Sequence, residues 1–145
     1  MKVRKKIHDD WCTPAYILKY IKQKYFNGYD FFDPCPINPD FDGLKIPWKQ
    51  RNYINPPYNQ KDKEAFIYKA FEESLKANTT CVMLLPVSTS TKIFHDLILP
   101  NAKIEFLKGR VKFIGINSKG ERVDNKCGQH DSMIITFAKV INNYT

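Results

Sequence analysis

Apolar positions along the chain fall into two stretches at helical spacing and several short runs at strand spacing, with prolines and glycines between them. Thr13-Pro14 opens the first helix: Thr is a good N-cap, Pro suits the first helical position, and Ile17, Leu18, Ile21 and Tyr25 recur behind them. Asn27-Gly28 ends it. Tyr29 to Phe32 reads as a short strand running into Asp33-Pro34-Cys35-Pro36, and Arg51 to Ile54 as a second strand stopped by Asn55-Pro56-Pro57-Tyr58. The second helix spans Lys61 to Ala77, with Ile67, Ala70, Phe71, Ser74 and Leu75 on one face and Asn78 closing it. Thr80 to Leu85 is a continuous apolar run, the pattern of a central strand covered on both faces.

A Ser/Thr-rich loop, Ser88 to Thr91, precedes a short helix through Ile93, Phe94, Leu97 and Ile98 that Pro100 should terminate. Ala102 to Leu107, Val111 to Ile116 and Ser132 to Val140 read as strands, with Lys108-Gly109 between the first two and a polar loop between the last two. Between positions 37 and 50, Pro39, Pro47 and Asp42-Gly43 break any periodicity, so the segment is expected as an irregular connection anchored inward by Leu44 and Trp48. Strands alternating with helices, then strands alone, predict an α/β fold whose sheet is mostly parallel with an antiparallel C-terminal end.

Composition adds limits. A chain of 145 residues, 43% hydrophobic and 26% charged, fits one compact domain, 1–145, and neither wholesale disorder nor a membrane protein. The basic start, Met1 to Lys6, has no apolar segment behind it, so no secretory signal is expected, and no later run is long enough to span a bilayer. The protein is therefore expected inside the cell. Cys12, Cys35, Cys81 and Cys127 lie far apart and are expected as free thiols; Cys127 and His130 together supply only two of the four ligands a structural zinc needs, so no metal is expected. A net charge of +8 favours a polyanionic partner, although a merely soluble lysine-rich surface would look the same.

In an open α/β sheet, ligands bind outside the carboxyl ends of the strands, where three loops lie here: Asp33 to Pro36, Asn55 to Tyr58 and Pro86 to Thr91. The second carries the most chemistry. Two prolines after Asn55 fix the backbone and remove two N–H groups, leaving carbonyl acceptors on a stiff turn with an aromatic ring behind them. Such a turn suits an aromatic amine. The lone pair of adenine N6 is delocalised into the ring, and the amine becomes nucleophilic only when acceptors hold its two hydrogens out of conjugation. The Asn55 Oδ1 and the Pro56 carbonyl have the right chemistry for that, and Tyr58 for stacking on a base flipped from the duplex, worth on the order of 1–3 kcal/mol.

The ordered set Trp11-x-Thr13-Pro14, Asp33-Pro34-Cys35, Asp42-Gly43-Leu44 with Trp48, Asn55-Pro56-Pro57-Tyr58, Leu84-Leu85-Pro86 and Gly109-Arg110-Val111-Lys112-Phe113 resembles the DNA N6-adenine methyltransferases, most closely the small phage-type Dam family. The resemblance covers nearly the whole chain. It implies a reduced Rossmann-like class I methyltransferase sheet and transfer of a methyl group from S-adenosylmethionine to adenine N6 in DNA. It assigns catalysis to Asn55, Pro56, Pro57 and Tyr58, and cofactor binding to Trp11, Thr13, Pro14, Asp33, Pro34 and Cys35. Phe113 becomes a second stacking partner for the flipped base, with Arg110 and Lys112 at phosphate. It also implies a phage or prophage source and hence a bacterial host cytoplasm.

Each of these residues also has a plainer reading. Thr13 can be only an N-cap, Trp11 and Trp48 core anchors, Phe113 a core aromatic, and Arg110 and Lys112 a solvated face. His95 is expected to pack beside Phe94. The chain departs from the usual pattern after Asp33, where Pro36-Ile37-Asn38-Pro39 stand in place of a glycine-rich turn and no glycine occurs until Gly43. Nothing is left over for a separate target-recognition domain, and a homodimer would compensate for the small sheet. The alternatives are a base-flipping protein that has lost the cofactor, or an amino-methyltransferase acting on cytosine N4, RNA or a protein glutamine.

Overall fold

The computed structural model describes residues 11–37, 39–116, 122–127 and 130–139, of which Trp11, Ile116 and 122–127 are described for the backbone alone. The described elements run β1 (Trp11–Cys12), α1 (Ala15–Phe26), β2 (Arg51–Ile54), α2 (Gln60–Ser74), β3 (Thr80–Pro86), a π-helical turn (Phe94–Ile98) leading into α3 (Leu99–Asn101), β4 (Lys103–Phe106), β5 (Lys112–Ile116), β6 (Arg122–Cys127) and β7 (Ser132–Ala138).

The main sheet has four strands in the order β2-β3-β7-β4. β3 lies inside it, as its apolar run predicts, pairing parallel with β2 and antiparallel with β7. β7 also pairs antiparallel with β4, so the expected antiparallel C-terminal end is present. The expectation of mostly parallel pairing is corrected: of three ladders, one is parallel. The reason is the position of β7. A single reversed strand inserted between β3 and β4 makes both of its ladders antiparallel, although β2, β3 and β4 themselves run in one direction.

Two hydrophobic layers hold this sheet. Alternation along β3 sends Cys81, Met83 and Leu85 to one face, where they meet Phe66, Ile67 and Ala70 of α2 and Ile93, Phe94 and Ile98 around the π turn. Val82 and Leu84 point to the other face, against Ile17, Ile21 and Phe26 of α1 and Val111 and Phe113 near β5. The connection before β2 is irregular as expected and is anchored by Trp48, whose indole N–H donates to the Gly43 carbonyl at 2.7 Å and whose ring stacks on Phe66. Its backbone N–H donates to the buried Glu73 carboxylate at 2.7 Å. Leu44 packs against the same core.

Several local expectations are corrected. Tyr29 to Phe32 is not a strand: Phe32 makes one isolated parallel bridge to Asn52. The cap of α1 is Pro14, not Thr13, because the Thr13 hydroxyl is engaged by Tyr53. The helix closes as predicted, with Asn27 and Gly28 at φ 51° and 84° and the Gly28 N–H donating to the Lys22 carbonyl. Leu75 lies beyond the end of α2 and is exposed, while Phe66 takes a core position. Pro100 does not stop the helix at 99. It sits where the wide π turn hands over to α3, and its missing N–H is tolerated at the start of that new turn. β6, expected as loop, pairs antiparallel with β5 in a second sheet of order β1-β5-β6. A strand on a small sheet's edge needs little apolar periodicity, so Arg122–Cys127 gives none.

Cys12, Cys35 and Cys81 are in no disulfide, and Cys127 lies outside the described side chains. Among the described residues there is no cluster of three or more metal-ligating side chains, and no helix is long and apolar enough to cross a membrane.

Candidate active site

Three segments converge at the end of the sheet where β2 and β3 finish. The segment after Phe32 brings Asp33, β2 leads into Asn55, and the chain before α1 brings Thr13 alongside. They line one cleft of about 270 Å³ with Cys12, Leu18, Phe31, Cys35, Pro36, Ile37 and Tyr53. Of the residues expected to hold a cofactor, Thr13, Asp33 and Cys35 face this cleft, and Pro14 and Pro34 are buried beside it. The backbone of Trp11 pairs with Gly115 in β1, and its side chain lies outside the described ones.

The turn after Asp33 is built without glycine. The Cys35 N–H donates to Asp33 Oδ1 at 2.8 Å, a local side-chain turn that fixes the carboxylate relative to the backbone. A glycine from farther along the chain packs against this turn. A Cβ built on Gly43 would lie 1.8 Å from the Pro34 carbonyl oxygen, so only glycine allows the 42–44 segment to pack against this loop.

Asn55, Pro56 and Pro57 are buried at the end of β2, and Asn55 borders the cleft. Tyr53, two residues earlier and not singled out by sequence, ties the two sides together. Its hydroxyl lies 2.6 Å from Thr13 Oγ1, and burial pushes its ionisation far above the ordinary tyrosine range. It therefore stays a neutral phenol there.

Tyr58 is half-buried and packs toward strand β5. Its ring packs edge-to-face on Phe113 at 5.9 Å and 83°, and on His130 at 5.2 Å and 88°. Burial raises its ionisation as well. Phe113 is thus brought to the Asn55 to Tyr58 loop but is itself 3% exposed. Arg110 and Lys112 lie on the exposed surface nearby, and Arg110 pairs with Asp131 at 3.5 Å. His130, considered from sequence only as a metal ligand, is the ring that sequence reading missed. Its separation from Tyr58 along the chain left no signal. His95 packs against Phe94 as expected, with Nε2 2.6 Å from the Thr89 carbonyl.

Comparison with known proteins identifies a family. The family model for DNA N-6-adenine-methyltransferase (Dam) matches residues 1–145. The DNA N-6-adenine-methyltransferase of Haemophilus phage HP1 (strain HP1c1) is 34% identical over 147 residues, which covers 92% of this chain and 81% of that protein. No solved structure matches. A family match along the whole length, with the Asn55 to Tyr58 loop at the carboxyl end of a buried strand, means that this chain belongs to the Dam family of DNA N-6-adenine-methyltransferases.

Proposed function

We propose that this chain transfers a methyl group from S-adenosylmethionine to the exocyclic N6 of adenine in DNA, and that its sheet is a reduced Rossmann-like class I methyltransferase sheet. The observation that carries the reading is the single cleft lined by Thr13, Asp33, Cys35 and Asn55, which sets a candidate cofactor loop against the candidate catalytic loop. The direction of the strands supports the fold assignment, since β2, β3 and β4 run one way with β7 reversed between β3 and β4.

The donor set suits the cofactor. Asp33 offers a carboxylate for sugar hydroxyls, Thr13 a hydroxyl, and Leu18, Phe31 and Ile37 apolar surface for a purine ring. S-adenosylmethionine would supply an electrophilic methyl carbon on a positively charged sulfur. The protein's part is then to hold the amine. Asn55 Oδ1 and the Pro56 carbonyl accept the two N6 hydrogens and draw the lone pair out of conjugation with the ring. Tyr58 supplies the stacking surface. The proton released from N6 goes to water, so no side chain need act as general base. Catalysis of this kind is by positioning, without a covalent enzyme intermediate. Arg110 and Lys112, exposed beside the Tyr58 corner, would meet phosphate and give salt-dependent DNA binding.

The test is transfer of labelled methyl from S-adenosylmethionine to unmethylated double-stranded DNA, with digestion to nucleosides. Label in N6-methyladenine is expected. Label in N4-methylcytosine would change the substrate, and DNA binding without any transfer would favour a protein that flips bases but has lost the cofactor.

A further inference from the structure

Tyr58 is oriented by its ring alone. Its hydroxyl is buried and has no hydrogen-bond partner among the described residues, so the usual anchor of a buried tyrosine is missing. Two rings pack on it, Phe113 and His130, both close to perpendicular to it, at the edge of the core cluster on the α1 side. Phe113 and His130 also meet each other, at 6.4 Å and 54°, which closes a triangle of three rings.

Phe113 belongs to the core and is immobilised by β5 on which it stands. His130 is half-buried, lies just before β7, and is held differently. Its Nδ1 lies 3.3 Å from the Asp131 carbonyl. The Asp131 carboxylate in turn pairs with Arg110 at 3.5 Å, which ties the corner carrying His130 to the segment that leads to Phe113.

A base that stacks on Tyr58 is only as well placed as the plane of that ring. We propose that His130 is a positioning residue for adenine methylation: its edge-to-face contact sets the plane of the Tyr58 ring on which the flipped base stacks. This rests on the function proposed above. It differs from simple packing, because loss of the ring at position 130 should disturb the base more than the fold.

The experiment compares wild type, His130→Ala and His130→Phe by kcat and KM for DNA and for S-adenosylmethionine. Emission of 2-aminopurine at the target position and thermal melting are recorded alongside. His130→Ala is expected to lose about tenfold or more in kcat/KM for DNA, to leave the KM for S-adenosylmethionine unchanged and to alter the 2-aminopurine emission. His130→Phe, which keeps a ring but not the imidazole nitrogens, should restore both kcat/KM for DNA and the emission. Wild-type behaviour of His130→Ala would overturn the proposal, as would a His130→Phe protein as defective as His130→Ala. Absence of methyl transfer by the wild type would count against the proposed function instead; the 2-aminopurine signal needs no transfer, and equal emission from wild type and His130→Ala would still overturn the role of His130.

Discussion

The hydroxyls of Thr13 and Tyr53 lie 2.6 Å apart and join the segment before α1 to the strand that delivers Asn55. Tyr53 is 2% exposed, whereas Thr13 is half-buried and can reach water. The two ends of the bond are therefore unequal. Thr13→Val should cost about 1–3 kcal/mol by stranding the buried phenol, and Tyr53→Phe only about 0.5–1.5 kcal/mol. Urea unfolding of the two single variants and the double variant checks the order and gives the coupling between them. Both changes should also weaken cofactor binding if Thr13 borders that site.

Gly43 packs against the loop that follows Asp33. In Gly43→Ala the new methyl group would meet the backbone carbonyl of Pro34, not a side chain that can move aside. Overpacking of this kind costs about 1–3 kcal/mol and should displace the Asp33 loop, with a matching loss of S-adenosylmethionine affinity. Gly109→Ala is the control. Gly109 has φ +76° and nothing within 4 Å of its Cβ position, so that variant should lose about 1–2 kcal/mol from backbone strain with cofactor affinity intact. Calorimetric titration of both proteins separates the two effects.

Glu73 makes stability depend on acid pH. Burial alone would lift its carboxyl, but the Lys76 ammonium, the Trp48 N–H and Lys69 outweigh that and bring it below the ordinary glutamate value. A depressed folded value adds stability above the unfolded pKa, near 4.3, and loses it as pH falls through the folded one. Glu105, held by Tyr20, Tyr25 and Lys24 against its own burial, acts in the same direction. Melting temperature should be flat above about pH 5 and fall below about pH 4. Glu73→Ala, which orphans the Trp48 N–H, should cost roughly 2–3 kcal/mol at neutral pH and flatten the acid slope.

Cys81 should be chemically silent. Burial pushes its thiol up to about 12, with Asn52 pulling weakly the other way, so almost no thiolate exists at pH 8. Cys12 is half-exposed. Alkylation of the native protein with iodoacetamide, followed by peptide mass mapping, should modify Cys12 and spare Cys81 until the protein is denatured; rapid labelling of Cys81 in the native state would show that the sheet opens there.

The elements that sequence made legible are those whose signal is local. The apolar run of β3 and the αL pair Asn27-Gly28 fall where the pattern places them, and the proline loop sits directly after β2. What sequence hid is relational. Thr13 looks like a helix cap until Tyr53 is seen beside it, and Gly43 looks like one more turn residue until Pro34 is seen against it. The reversed β7 between β3 and β4 depends on long-range pairing, which no local periodicity encodes. Sequence pointed to the loops that line the cleft, and of the two rings packed on Tyr58 it singled out Phe113 for the base and His130 only as a metal ligand.

The central claim is that Asn55 prepares adenine N6 for methylation. The direct measurement is labelled methyl transfer from S-adenosylmethionine to unmethylated DNA by wild type and by Asn55→Ala, with the modified nucleoside identified and cofactor binding measured in parallel. N6-methyladenine formed by the wild type and lost by at least about a hundredfold in a variant that still binds the cofactor is the predicted result; equal rates from the two proteins would contradict the account.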